Sequence, residues 1–155
     1  MRVLVTGANG FVGKNLCLRL KELGTVDVLQ ITRESTSSAL HSALEQADFV
    51  FHLAGVNRPQ EVSEFQAGNA DLTQSLCDSL IKIGKKIPIV YTSSTQVSSD
   101  NPYGKSKQLA EDALTAYAEK CDTKVYIFRL PNVFGKWCKP NYNSFVATFC
   151  HKLTH

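Results

Sequence analysis

Five short runs of β-branched and aromatic residues, interleaved with helical patterns, restrict this 155-residue chain to very few folds. The runs are VLVT (3–6), VDVLQIT (26–32), DFVFHLA (48–54), IPIVYTS (87–93) and KVYIFRL (124–130). Each is nearly continuous in hydrophobicity, which is how strands covered on both faces read. Helical patterns fill 12–23, about 37–46, about 61–83, 102–120 and a last stretch from about 143. Strand alternating with helix implies a parallel α/β sheet with right-handed crossovers. Residues 33–47 leave room for one short helix and no extra strand, so the expected order is 2-1-3-4-5. Residues 1–155 read as one doubly wound domain.

Composition narrows the partners. With 43% hydrophobic and 20% charged residues the chain can bury a real core. Its net charge of +3 has no Lys/Arg block behind it, so nucleic acid is not implied. No apolar run reaches the roughly eighteen residues a membrane span needs, and Met1 leads straight into RVLVT rather than a signal segment. The expectation is a cytoplasmic protein without membrane contact. Cys17, Cys77, Cys121, Cys138 and Cys150 show no CxxC pairing and no metal-spaced histidines, so neither a metal site nor a disulfide framework is expected.

TGANGFVG (6–13) follows the first strand and opens the first helix, the context that phosphate binding by a glycine loop requires. Gly7 permits the tight turn, Gly10 lets backbone approach a pyrophosphate, and Gly13 allows close helix–strand packing. Asn9, Phe11 and Val12 complete the loop. The anion would rest on unpaired N–H groups at the positive end of the helix. The spacing G-x-x-G-x-x-G differs from the dinucleotide fingerprint in its first gap.

That spacing resembles the extended short-chain dehydrogenase/reductase family, in the NAD-dependent epimerase/dehydratase group, and four further segments agree in order. DFVFHLAGVN (48–57) is similar to the family's segment beside the adenine ribose, which assigns Leu53, Ala54 and Gly55 to the cofactor. VYTSS (90–94) resembles its catalytic-serine strand, YGKSK (103–107) its Tyr-x-x-x-Lys motif, and FRLPNVFG (128–135) its substrate-side strand end. The resemblance implies a Rossmann-type fold and a catalytic set of Ser94, Tyr103 and Lys107, with Lys107 also on the nicotinamide ribose.

The residues support those roles physically. Asn101 caps a helix with Pro102 at its first position, so Tyr103 and Lys107 fall four apart on one face. A nearby ammonium is expected to lower the tyrosine pKa toward neutrality and make the phenol a proton donor or acceptor. Ser94, at the carboxyl end of the fourth strand, can donate to a substrate carbonyl. His52 reads as a packing or hydrogen-bonding residue, and His41, His151 and His155 carry no constellation.

Cofactor choice turns on the end of the second strand, QITRES (30–35), where Thr32 and Arg33 replace the acid of NAD-preferring enzymes. Arg33 can grip a 2′-phosphate, with Ser35 or Thr36 adding hydrogen bonds, so NADP(H) is expected. Thr95 and Gln96 follow the serine where many dehydratases carry acids, and only eight residues separate Ser94 from Tyr103. Both points favour a reductase.

PNVFGKWCKPNYNSFVATFC (131–150), HLAGVNRP (52–59) and DNPYGKSK (100–107) most resemble a reductase–cupin family of bacterial capsule and O-antigen synthesis. That resemblance implies NADPH-dependent reduction of a 4-keto UDP-deoxy-amino-sugar in a homodimeric parent, with the substrate region and cupin beyond this chain. Asn132, past the fifth strand, is the expected UDP-sugar contact, with Lys136, Lys139 and Asn141 as candidates for its diphosphate. Two competing readings stay open: an NAD-dependent sugar epimerase or 4,6-dehydratase, against which Arg33 and Thr95-Gln96 argue, and a non-catalytic nucleotide-sensing module, against which Ser94, Tyr103 and Lys107 argue.

Overall fold

The computed structural model describes residues 1–154. In chain order it contains β1 (Arg2–Thr6), α1 (Phe11–Leu23), β2 (Asp27–Ile31), α2 (Ser37–Gln46), β3 (Phe49–His52), α3 (Ser63–Phe65), α4 (Leu72–Ile83), β4 (Ile89–Ser94), α5 (Pro102–Cys121), β5 (Val125–Leu130) and α6 (Phe145–Thr154). All strand pairs are parallel and the order is β2-β1-β3-β4-β5, as the alternation predicts. This is a Rossmann-type doubly wound sheet, and the carboxyl ends of its strands share one edge.

Two cores flank the sheet. On one face Leu4, Val50, Ile89 and Tyr91 pack against Leu44, Leu76, Leu80 and Leu114 of α2, α4 and α5. On the other, Val3 and Val5 pack with Leu16 and Leu20 of α1 and with Val28, Phe49 and Phe51. Helix ends follow familiar chemistry. Asn101 Oδ1 accepts from Gly104 N at 2.7 Å with Pro102 in the first turn, and Gly24 and Gly84 close α1 and α4 in the left-handed conformation.

Three expectations change. The strands are not all covered on both faces. Register places Val90 beside Tyr126 and Thr92 beside Phe128 on the α1 side of the sheet, yet α1 reaches only β1, β2 and β3. Tyr126 and Phe128 are therefore 44% and 53% exposed. The run 48–54 pairs only as far as His52, because Leu53 and Ala54 leave the sheet to pass within contact of Gly7.

The helix expected over 61–83 begins at Ser63 and carries a π-helical stretch, Gln66–Asp71, between α3 and α4. Its cause is visible in Asn69, which turns inward to accept from Val56 N at 3.0 Å and to donate to Val56 O at 2.9 Å and Ser106 Oγ at 3.0 Å. Such bulges concentrate at functional sites.

Candidate active site

The glycine loop is shaped by backbone contacts that no side chain could share. Gly7 has φ +68°, and a Cβ there would lie 2.7 Å from Ala54 N. A Cβ on Gly13 would lie 2.2 Å from Gly7 O, so helix and loop meet as closely as glycine allows. Gly10 precedes α1 with no side-chain cap and no acid in the first turn. Lys14 N makes the first helical bond to Gly10 O at 2.9 Å, which leaves the amides of Phe11, Val12 and Gly13 ahead of the helical ladder. Asn9 is exposed in the turn before Gly10. An uncapped, acid-free helix start beside a collar of glycines fits a pyrophosphate.

Arg33 stands exposed two residues past β2, on the same sheet edge. Ser35 and Thr36 serve the local turn: Ser35 Oγ accepts from Thr32 N at 3.0 Å, and Thr36 Oγ1 accepts from Ala39 N at 3.2 Å to cap α2. Sequence reasoning passed over Glu34, whose carboxylate accepts from Thr32 Oγ1 at 2.6 Å. That hydrogen bond holds its pKa below the usual carboxylate value. The acid falls three residues past the strand rather than at its end.

Behind the loop lies a buried relay centred on His52. Thr73 Oγ1 donates to Asn69 O at 2.7 Å, so it accepts from His52 Nε2–H at 2.9 Å. His52 Nδ1 then accepts from Thr6 Oγ1 at 2.8 Å, and Thr6 Oγ1 accepts from Ala54 N at 3.2 Å. The pattern fixes the neutral Nε2–H tautomer. Burial, helped by the Lys107 charge, depresses the His52 pKa to about 3. His52 thus positions the 53–55 segment, as its packing role predicts.

At the next strand end, Ser94, Tyr103 and Lys107 come together. Ser94 closes β4 with Oγ accepting from Gln96 N at 3.2 Å, while a 3-10 turn, Thr95–Ser98, returns the chain to α5. The short connection presses on the helix: a Cβ on Gly104 would lie 2.3 Å from Gln96 O. Lys107 is buried and donates to Tyr91 Oη and Thr92 O, both at 3.1 Å. A Cβ on Gly55 would lie 3.3 Å from Lys107 Nζ and 2.7 Å from Asn69 Oδ1, so Gly55 brings the segment after β3 against the lysine. Burial lowers the Lys107 pKa to about 8, opposed by the Glu111 carboxylate.

The expected effect of Lys107 on Tyr103 is not seen. Burial raises the Tyr103 pKa, and only a hydrogen bond with Ser94 opposes it. The reason is directional: the ammonium is drawn toward Tyr91 and the Thr92 carbonyl, while the Tyr103 ring packs on Phe65 at 5.5 Å between centroids. Tyr91, Phe65, Asn69 and Glu111 gave no signal in the sequence, because each depends on partners far away in the chain.

Asn132 is exposed two residues beyond β5, on the edge where the other groups gather. Its expected companions are spread out. Lys136 O accepts from Asn15 Nδ2 of α1 at 2.9 Å, and its ammonium lies 4.6 Å from the Trp137 ring centroid. Lys139 is exposed. Asn141 O accepts from Arg58 Nη1 at 3.2 Å, and Tyr142 Oη donates to Asn57 Oδ1 at 2.9 Å, so this loop bridges to the segment after β3. All five cysteines are free thiols, and no described group of His, Cys, Asp or Glu could hold a metal ion. Among the described residues no helix is long and apolar enough to cross a membrane.

A glycine loop, a Tyr-x-x-x-Lys helix and a serine strand share one edge of the parallel sheet, the arrangement expected of a nucleotide-binding short-chain fold. Residues 3–155 match the NAD dependent epimerase/dehydratase family, and the chain belongs to it. It is 56% identical over 153 residues to the UDP-2-acetamido-2,6-beta-L-arabino-hexul-4-ose reductase of Pseudomonas aeruginosa, covering 99% of this chain and 41% of that protein. The crystal structure of the capsular polysaccharide assembling protein CapF from Staphylococcus aureus is similar at 48% identity and TM-score 0.86, over 99% of this chain and 42% of CapF. MoeE5, solved in complex with UDP-glucose and NAD, shares 25% identity at TM-score 0.78, over 96% of this chain and 59% of MoeE5. The chain thus spans well under half the length of the first two relatives.

Proposed function

We propose that this chain is the cofactor-binding part of an NADPH-dependent reductase acting on a 4-keto UDP-deoxy-amino-sugar in bacterial capsule or O-antigen precursor synthesis. The observation that carries the reading is the Ser94–Tyr103 hydrogen bond at the end of β4, with Lys107 held on Thr92 O of the same strand, beside Gly55, and the glycine loop on the same edge. The 56% identity to a keto-sugar reductase and the similarity to a capsular polysaccharide assembling protein support the substrate class.

The glycine loop and the open amides of α1 would hold the pyrophosphate, Arg33 the 2′-phosphate, and Leu53, Ala54 and Gly55 the adjoining ribose. When bound, the nicotinamide cofactor supplies the hydride. Tyr103 Oη holds the proton that the keto oxygen requires, and its raised pKa suits a donor that is protonated at neutral pH. Ser94 Oγ donates to the same oxygen and offsets the charge that develops there. Lys107, held by Tyr91 Oη and Thr92 O beside Gly55, would reach the nicotinamide ribose. Asn132 offers a donor and an acceptor to the sugar nucleotide. A homodimer of the whole protein belongs to the same reading.

The test is to mix the intact protein with NADPH and the 4-keto UDP-sugar and follow nicotinamide absorbance. Stoichiometric NADPH oxidation, with NADH much slower, is expected. Protein that purifies with retained NAD and interconverts sugars without net oxidation is an epimerase instead.

A further inference from the structure

A second buried charge lies one helical turn beyond Lys107 and has no part in the chemistry above. Glu111 is 5% exposed and accepts four hydrogen bonds: Ser93 Oγ donates at 2.5 Å, Arg129 Nη2 at 2.7 Å, and Arg129 Nε to the two carboxylate oxygens at 3.1 and 3.3 Å. Neither partner lies on α5. Ser93 immediately precedes Ser94 on β4, and Arg129 lies on β5 three residues before Asn132. The carboxylate therefore fastens the helix that carries Tyr103 and Lys107 to two strand ends. The buried part of this network, Glu111 and Ser93, is fully hydrogen-bonded, with the half-exposed Arg129 closing it from outside, and such a network favours one arrangement of the groups it joins.

Lys107 and Glu111 are four apart in α5, the spacing that puts side chains on one face, and both are buried there. We propose that Glu111 is a positioning residue for Lys107: its buried carboxylate, one turn away on α5, balances the lysine that Tyr91 Oη and Thr92 O hold at the strand end beside Gly55. The meaning for cofactor binding rests on the reductase reading; the coupling between the two side chains does not. His52 faces the lysine from β3 as a neutral imidazole and Tyr91 from β4 as a phenol, Tyr103 stands one turn before it on α5, and Arg129 of β5 brings a cation to the Glu111 carboxylate. Glu111 is the only carboxylate among these groups. Its charge opposes the effect of burial on Lys107, and Arg129 and Ser93 in turn keep it ionised.

The experiment is lysine side-chain NMR on the protein with isotopically labelled lysine, the Lys107 signal being assigned by its loss in Lys107→Arg. Glu111→Gln is expected to lower the Lys107 titration midpoint by about one pH unit or more, the size of effect a neighbouring opposite charge has. Arg129→Gln removes the competing cation and is expected to raise it, while Glu111→Asp restores most of the wild-type value. A purely structural clamp would not move the midpoint in opposite directions.

A folded Glu111→Gln protein with an unmoved Lys107 midpoint overturns the proposal. Where Glu111→Gln does not fold, Arg129→Gln decides, and a midpoint that stays or falls overturns it. NADPH titrations across pH read the consequence: the alkaline loss of affinity moves with the Lys107 midpoint. Shifted midpoints in a protein that binds NADPH at no pH uphold the coupling and remove the cofactor reading.

Discussion

Lys107 donates to the phenol oxygen of Tyr91 at 3.1 Å, and not to Tyr103 on its own helix. Burial, with Tyr103 and Glu111 nearby, pushes the Tyr91 pKa up, so Tyr91 remains a neutral acceptor for the ammonium. Tyr91→Phe keeps the buried ring and deletes that acceptor. The expected cost is about 1–3 kcal/mol, the range for a buried group that loses its hydrogen-bond partner, read by urea denaturation at neutral pH. An unchanged denaturation midpoint would mean that water or Thr92 O alone satisfies the lysine.

His52 sets an acid limit on stability. Its folded pKa is depressed to about 3 from 6.5, so between those values the unfolded chain binds the extra proton and stability falls as pH falls. The difference between wild type and His52→Gln should change by about 1.4 kcal/mol per pH unit inside that window and level off outside it. Parallel stability profiles for the two proteins would show that His52 is protonated without cost.

Gly55 allows the proposed cofactor contact to be weighed against folding. The residue is exposed, yet a Cβ there would crowd Asn69 Oδ1 and Lys107 Nζ. Gly55→Ala is expected to lower the thermal transition moderately, because the Asn69 side chain must give way, and to weaken cofactor binding by about tenfold, equivalent to about 1.4 kcal/mol. Gly13→Ala, whose Cβ would meet the Gly7 carbonyl, is expected to cost stability directly. Calorimetry and thermal melts on both variants check the contrast, and equal losses of stability would contradict it.

In the proposed reading Arg33 carries the preference for the 2′-phosphate, and Glu34, the next residue, is its counterweight. NADPH should bind more tightly than NADH by about 1–3 kcal/mol, the range for a charge-assisted hydrogen bond. Arg33→Ala should erase that margin and Glu34→Gln widen it. Equal calorimetric affinities for the two cofactors in wild type would rule out the assignment.

Much of this was legible in the sequence because it depends on neighbours in the chain. The five apolar runs dictate the strand order, Asn101-Pro102 fixes where α5 starts, and Gly7 and Gly13 announce backbone contacts that only glycine permits. What was hidden depends on residues far apart. Glu111 reads as an ordinary helix acid until Ser93 and Arg129, each 18 positions away, are brought to it. Tyr126 and Phe128 read as core in KVYIFRL, since an aromatic at a sheet edge looks the same whether or not a helix covers it. The direction taken by the Lys107 ammonium, and with it the raised Tyr103 pKa, depends on Tyr91 and a carbonyl on another strand.

The central claim is that Tyr103 gives the proton in a reductase, and Tyr103→Phe in the intact protein tests it most directly. The substitution keeps the ring that packs on Phe65 and removes only the hydroxyl. NADPH affinity should stay within about twofold while turnover of the 4-keto UDP-sugar falls by roughly a hundredfold or more, the usual size of general-acid catalysis. Near-normal turnover in Tyr103→Phe would contradict the account, whatever happens to cofactor binding.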